Sequence, residues 1–268
     1  MSNLNQLLWA LFFAGSLTAG DLRPIAGEAE NSKHPNKIFS KAVQRARILA
    51  DNTNAPVYLY DRRTTIDTFD AKGKLTKRKV KLFLVTMTGG VPEEKLIALE
   101  GKQLSAKALA KEQEKSSVWR RKFVNRDDNS TRSSFVPADL AKKFNLTYLR
   151  SERIHQRNTH VIAFAPKSEG PKAKGFADRI VNQLTGRLWI DATDSEITRI
   201  DVKLGKKVNL WGGILGALYK FEFNLDRKRS ESGVWYNHLS DISLDARGLF
   251  KRLRMNINEQ SGKLRRAE

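Results

Sequence analysis

Cysteine is absent from all 268 residues of the chain. Disulfide bonds, thiol catalysis and cysteine-ligated metal sites are therefore excluded. The four histidines, at positions 34, 155, 160 and 238, do not stand in a metal-binding spacing such as H-E-x-x-H. No G-x-S-x-G sequence marks a nucleophilic serine either. We therefore predict that the protein is not an enzyme and uses no metal and no cofactor.

Long hydrophobic runs are also scarce, and the longest stands near the N-terminus. Residues 7–17 form an apolar run of about eleven residues, whereas about 20 are needed to span a bilayer. Small residues follow as far as Gly20, so we predict that residues 1–20 are a signal peptide for export. An uncleaved N-terminal anchor and a buried helix are the alternatives. Residues 21–35 are rich in Pro, Gly, Glu and Asn, which predicts a flexible leader.

Acidic residues are too few to balance the basic ones. The chain has 49 Lys and Arg against 29 Asp and Glu, which gives a net charge of +20. Such a charge attracts nucleic acid, phospholipid headgroups or acidic glycans. The basic residues are spread along the chain and mostly alternate with apolar ones, which favours a solvated basic surface. We expect no specific nucleic-acid site, and an anionic membrane surface is a possible partner.

Hydrophobic periodicity predicts two main helices in the exported chain. Asn36 is a candidate N-cap for a helix that runs to about Ala50, with apolar residues at three- and four-residue spacing and basic residues along one flank. This pattern is typical of a helix laid on a sheet. Ser105 is a good N-cap for the second helix, with apolar residues placed on either side of it to form a hydrophobic staple.

Most of the remaining sequence predicts strands, about nine or ten in number. Tyr219, Phe221 and Phe223 alternate with polar residues, so we expect them on one face of a half-buried strand. No repeat, no βαβ rhythm and no interdomain linker is visible. The predicted fold is α+β and mostly β: a strongly curved antiparallel sheet with helices on one face. It occupies residues 36–260 as a single domain, and residues 261–268 form a basic tail.

One apolar stretch, Leu210 to Leu218, stands out in a chain that is 29% charged, because it carries no charged side chain. One interpretation is a buried connection between strands. The other is a mobile flap that closes a lipid pocket or dips into a membrane interface, a boundary that suits a tryptophan. The candidate ligand contacts in this stretch are Leu210, Trp211, Ile214, Leu215 and Leu218.

The order of signal peptide, helix, hairpin, Gly-Lys-x-Leu-Ser helix opening and C-terminal meander resembles bacterial outer-membrane lipoprotein-sorting proteins. The residues that carry the resemblance are Val80 to Gly90, Leu99 to Ser105, Gly186 to Asp191 and Gly212 to Phe223. The resemblance implies the LolA/LolB-like fold. In that fold an unclosed β-barrel of about eleven strands has helices covering an apolar concave face that takes acyl chains.

The same resemblance implies a non-catalytic, monomeric periplasmic protein that binds a lipid or the acyl chain of a lipoprotein. Trp189, Tyr219, Phe221 and Phe223 are the candidate wall residues of its cavity. Burial contributes about 0.8 kcal/mol per methylene, so a dozen methylenes supply ample affinity without specific polar contacts. The alternative is a basic envelope protein that binds a polyanion or docks another envelope protein as a sensor or structural component.

Overall fold

The structure, a computed structural model, describes residues 34–52, 54–110, 143–168, 176–210, 216–248 and 252–267. The predicted signal peptide and residues 21–33 of the predicted leader lie outside these ranges. So do Trp211, Ile214 and Leu215 of the predicted flap.

The first described helix, α1, spans Pro35–Asp51 and agrees with the predicted one. It starts two residues earlier than predicted, with His34 rather than Asn36 as its N-cap and Pro35 in the first turn, where a missing N–H is tolerated. Four apolar side chains spaced along one face of the helix are buried: Ile38, Phe39, Ala42 and Val43. This face packs on the sheet, as an amphipathic helix requires.

Ser105 starts a second helix, as predicted. The backbone N–H of Ala108 donates to Ser105 Oγ at 3.3 Å, and residues 106–110 are helical. Residues 111–142, which follow it, lie outside the described ranges. A short helix, α2, spans Phe176–Val181.

The strands number thirteen among the described residues and form one antiparallel sheet. They are β1 (Val57–Phe69), β2 (Leu75–Thr88), β3 (Val91–Leu99), β4 (Lys102–Gln103), β5 (Phe144–Ile154), β6 (Arg157–Pro166), β7 (Leu184–Asp191), β8 (Ile197–Leu204), β9 (Val208–Leu210), β10 (Gly216–Arg229), β11 (Trp235–Gly248), β12 (Arg252–Ser261) and β13 (Arg265–Arg266).

The strand order is β4-β3-β2-β1-β12-β11-β10-β8-β7-β6-β5, with β13 paired to β1 and β9 paired to β10. The first and last long strands, β1 and β12, are therefore neighbours in the middle of the sheet. Within the described residues the two ends of the order, β4 and β5, do not pair with each other, so the sheet is an unclosed barrel. This confirms the predicted fold class. Within the predicted basic tail, Arg265 and Arg266 form β13 and pair with β1, and Leu264 is buried.

Helix α1 lies against β5 and β7 and ends at the β2–β3 turn. At that turn Gly89 has φ +57°, and a side chain there would collide with the carbonyl oxygen of Leu49. We call the side of the sheet that α1 covers the inner face and the opposite side the outer face. The main core lies on the inner face and extends from Ile66 of β1 to Phe144 of β5.

Candidate functional site

The inner face carries an uninterrupted row of apolar side chains across five strands. Residues paired directly across antiparallel strands point to the same side of a sheet. The registers of β8, β10, β11, β12 and β1 therefore align Val202, Phe223, Ile242, Ile257 and Ile66. All five belong to the main core or pack against it. The row makes the middle of the inner face a continuous hydrocarbon surface.

Three of the predicted contact residues lie on this face. Phe221 is 2% exposed and Leu218 is also buried, and both belong to the main core. Phe223 is only partly buried. Ala246 and Leu253, which are paired with each other across β11 and β12 and lie beside Leu218, are also partly buried. Ala246 and Leu253 therefore form a margin where the apolar inner face meets solvent.

Tyr219 lies on the outer face, although strict alternation predicted that it would share a face with Phe221. The pairing of β10 with β11 contains a bulge between Leu218 and Lys220. A bulge adds one residue to a strand and shifts the alternation of its side chains. The ring is 38% exposed and lies close to Lys207 and Arg252.

Trp189 also lies on the outer face, because its neighbours along β7, Leu188 and Ile190, belong to the inner core. Its indole packs with Ile154 and Val161 in a small separate cluster, and its Nε1–H donates to Glu152. The guanidinium groups of two arginines flank the ring at 5.2 and 5.7 Å from its centroid: Arg187 and Arg199. Trp189 therefore stabilises the sheet from the side opposite Phe221.

The stretch from Leu210 to Leu218 connects two paired strands. The backbone of Leu210 in β9 pairs with Gly216 in β10, and Val208 pairs with Leu218. Residues 211–215, which join these strands, are outside the described ranges. The predicted flap therefore stays a prediction.

A buried charged cluster on the inner face was not predicted. Arg62 of β1 is 5% exposed and makes a two-pronged ion pair with Glu94 of β3, with Nη2 at 2.7 Å from Oε2. Its Nε lies 3.7 Å from Oε1 of Glu259 on β12. The hydroxyls of Thr64 and Ser240 donate to the two oxygens of Glu259, each at 3.3 Å.

Two carboxylates thus share one guanidinium in a desolvated setting. Burial raises the pKa of Glu259, and the nearby positive charge of Arg62 opposes that shift only in part. Burial lowers the pKa of Arg62, but Glu259 and Glu94 outweigh it and raise the pKa above its ordinary value. Burial also raises the pKa of Tyr60 to about 12. Arg62 is therefore a fixed positive charge inside the sheet.

No local sequence pattern marks this cluster. Its charged members come from β1, β3 and β12, and Arg62 and Glu259 are 197 positions apart in the sequence. Arg62 also stands between Asp61 and Arg63, so the sequence alone does not single out the inward-facing charge. Only the strand order brings the three groups together.

A second polar group ties α1 to the sheet. Glu196, in the β7–β8 connection, is buried and accepts a hydrogen bond from Nη1 of Arg227 at 2.9 Å. Its other oxygen lies 3.7 Å from Nε of Arg45 on α1. The other contacts that hold α1 to the sheet are mostly apolar.

Metal-binding clusters and membrane-spanning helices are both absent from the described ranges. No group of three or more His, Asp or Glu side chains in this part of the chain is placed to hold a metal ion. No helix within the same ranges has the length and apolar character needed to cross a membrane.

No family model and no curated protein matches the sequence. Similar solved structures include one described as an outer-membrane lipoprotein-sorting protein domain, from Vibrio parahaemolyticus, at 12% identity and a TM-score of 0.35, covering 88% of this chain and 93% of that one. A DUF1329 family protein from Desulfovibrio piger has 12% identity and a TM-score of 0.33, covering 87% and 93%. A LolA superfamily protein from Nitrosomonas europaea has 8% identity and a TM-score of 0.29, covering 87% and 94%.

The architecture that the resemblance implies is the one observed: the described residues form one antiparallel sheet left open as an unclosed β-barrel, with α1 on its inner side.

Proposed function

We propose that this chain is a non-catalytic periplasmic protein that binds the acyl chain of a lipid or of a lipoprotein along its inner face. The observation that carries the proposal is the apolar row that crosses five strands from Val202 to Ile66. Five strands at about 4.8 Å spacing give a surface about 19 Å wide. Leu218, Phe221 and Phe223 are the proposed wall residues from the predicted set.

The ligand enters at the margin formed by Ala246 and Leu253, next to Leu218. These side chains are only partly buried and lead directly into the core cluster. Burying twelve methylenes contributes about 10 kcal/mol before the cost of immobilising the chain, at about 0.8 kcal/mol each. Shape and apolar area therefore supply the affinity, and no polar recognition pattern is needed in the sequence.

A blocking substitution tests this proposal. Ala246→Trp places an indole at the margin and is expected to weaken binding of a fluorescent fatty acid at least tenfold. Ala165→Trp is the matched control, since Ala165 is an exposed alanine on the outer face of β6. Equal binding by both variants, at unchanged thermal stability, would contradict the proposal.

The salt dependence of binding distinguishes acyl-chain binding from the alternative of polyanion binding. Apolar burial is insensitive to screening, whereas binding through surface charge weakens steeply as the salt concentration rises. Fatty-acid binding that persists in 1 M NaCl supports the acyl-chain proposal. Binding that disappears at that salt concentration favours the polyanion alternative.

A further inference from the structure

Exposed positive charge gathers around Tyr219 on the outer face. We call this group the Tyr219 patch. Its members are Lys206, Lys207, Tyr219, Lys220, Arg247, Arg252 and Arg254. They come from β10, β11, β12 and the β8–β9 connection, and they meet at one end of the sheet.

Tyr219 is the centre of this arrangement. The Lys207 ammonium lies 4.8 Å from the centroid of its ring, and the Arg252 guanidinium carbon lies 5.5 Å from the same point. Cations at this distance are attracted by the ring electrons, which fixes their position. The β10 bulge is the cause, because it turns Tyr219 outward beside Lys220.

The patch keeps a net positive charge after its internal ion pairs are counted. Asp245 accepts from Arg252 at 2.7 Å and from Arg254 at 3.0 Å. Glu222 lies 2.8 Å from Lys220. Six cations therefore face two carboxylates, and four positive charges remain within the patch.

The patch combines cations with an exposed tyrosine ring, at the end of the sheet where the pairs Leu210–Gly216 and Arg247–Arg252 lie. Cationic and aromatic side chains together are typical of surfaces that lie at the headgroup level of a bilayer.

We propose that the Tyr219 patch docks this protein on a bilayer surface rich in anionic phospholipids. The cations contact the headgroup phosphates, and the amphipathic tyrosine ring lies at the boundary between headgroups and acyl chains. This surface is on the opposite side of the sheet from the proposed acyl-chain site, so the two proposals can fail separately.

A single-cysteine label tests the location of docking directly, because the chain has no cysteine of its own. Lys206→Cys places an environment-sensitive fluorophore in the patch. Lys263→Cys places it on an 83% exposed side chain at the opposite end of the sheet. Vesicles with 30% phosphatidylglycerol should shift the emission at position 206 to the blue and leave position 263 unchanged. Unchanged emission from the label at position 206, or equal emission shifts at both positions, would overturn the proposal.

A charge-matched pair of variants separates the patch from the overall charge. Lys207→Gln with Arg252→Gln is expected to lower vesicle affinity about 25-fold, at about fivefold per cation near an anionic surface. Lys263→Gln with Arg266→Gln removes the same charge elsewhere and should change it far less. Lys206→Gln with Lys207→Gln replaces the first variant if the loss of Arg252 impairs folding.

Three outcomes refute docking through the patch: equal losses in the patch and control variants, equal binding to uncharged phosphatidylcholine vesicles, and heparin binding that falls in parallel with vesicle binding. The last identifies a general polyanion surface. Fatty-acid binding, measured on the same variants, should stay at the wild-type level, because it reports on the inner face alone.

Discussion

Arg62→Met removes the single cation from the buried cluster and leaves Glu94 and Glu259 facing each other. Arg62 supplies both prongs of the ion pair with Glu94, and it also lies 4.9 Å from the centroid of the Phe83 ring. Methionine fills much of the same volume, so the change chiefly removes charge and hydrogen bonds. The expected result is a large loss of stability without a change of fold.

The magnitude follows from burial. Removing one partner of a buried ion pair costs about 3–5 kcal/mol, because the remaining charge stays desolvated. Glu94 is 27% exposed and turns toward water after the substitution, whereas Glu259 is held between Thr64 and Ser240. We therefore expect a loss of about 3–4 kcal/mol, or about 5–8 °C in Tm for a chain of this length.

The assay is thermal unfolding followed by circular dichroism at pH 8 and at pH 5. Arg78→Met is the matched control, since Arg78 makes a two-pronged pair with Asp67 on the adjacent strands β1 and β2. That arginine is 59% exposed, so water and salt screen the pair and the Tm should change little.

The pH dependence provides a second check on the same reasoning. Removing Arg62 raises the pKa of Glu259 further, so its carboxyl takes up a proton more readily at pH 5 than at pH 8. The stability loss of Arg62→Met should therefore be smaller at pH 5. A loss no larger than that of Arg78→Met, or a loss independent of pH, would refute the account of this cluster.

Two further predictions concern single positions on the sheet. The folded state binds more protons than the unfolded state where a carboxyl pKa is raised, so stability falls as the pH rises through the folded pKa of Glu259. Glu259→Gln should therefore have a higher Tm than wild type at pH 8, and the difference should be smaller at pH 5; a lower Tm at pH 8 would show that the ionised carboxylate stabilises the fold. Gly186→Ala should cost about 3 kcal/mol in urea unfolding, because its methyl group would lie 2.7 Å from the Phe164 ring and closer still to the carbonyl oxygen of Asp201. Gly262→Ala, which meets an ordinary 3.5 Å contact, is the control and should have little effect; similar losses in both would contradict the steric argument.

Strand positions and fold class were predictable because the alternation of apolar and polar residues depends only on the sequence within each strand. The β10 segment shows how far such reasoning reaches, since Phe221 and Phe223 lie on the inner face as their spacing predicts. The start of α1 was predictable to within two residues, and Ser105 caps a helix as its chemistry predicts.

The predicted face of a side chain was wrong where the strand is irregular, and where the outer face of the sheet is also apolar. The bulge between Leu218 and Lys220 places Tyr219 on the outer face, and no local sequence feature predicts a bulge at that position. Trp189 was predicted to line the wall of the cavity, yet it belongs to a small separate cluster on the outer face of β7. Register, rather than residue type, decides both positions.

The buried charges could not be predicted because they depend on strand order. β1 and β12 are neighbours in the sheet although they are distant in sequence, and this places Glu259 beside Thr64. Arg62 then reaches past β2 to Glu94 on β3. The alternation of apolar and polar residues predicts the face on which each side chain of a strand lies. Only the pairing of strands across the sheet determines which side chains of other strands lie next to it.

The acyl-chain proposal is tested most directly by mass spectrometry of the organic extract of the purified protein, with Ala246→Trp purified in parallel. The proposal predicts stoichiometric fatty acid, phospholipid or lipopeptide with the wild type, retained through a wash in 1 M NaCl, and much less with the variant. An extract without lipid, from protein that also fails to bind added fatty acid, would contradict it.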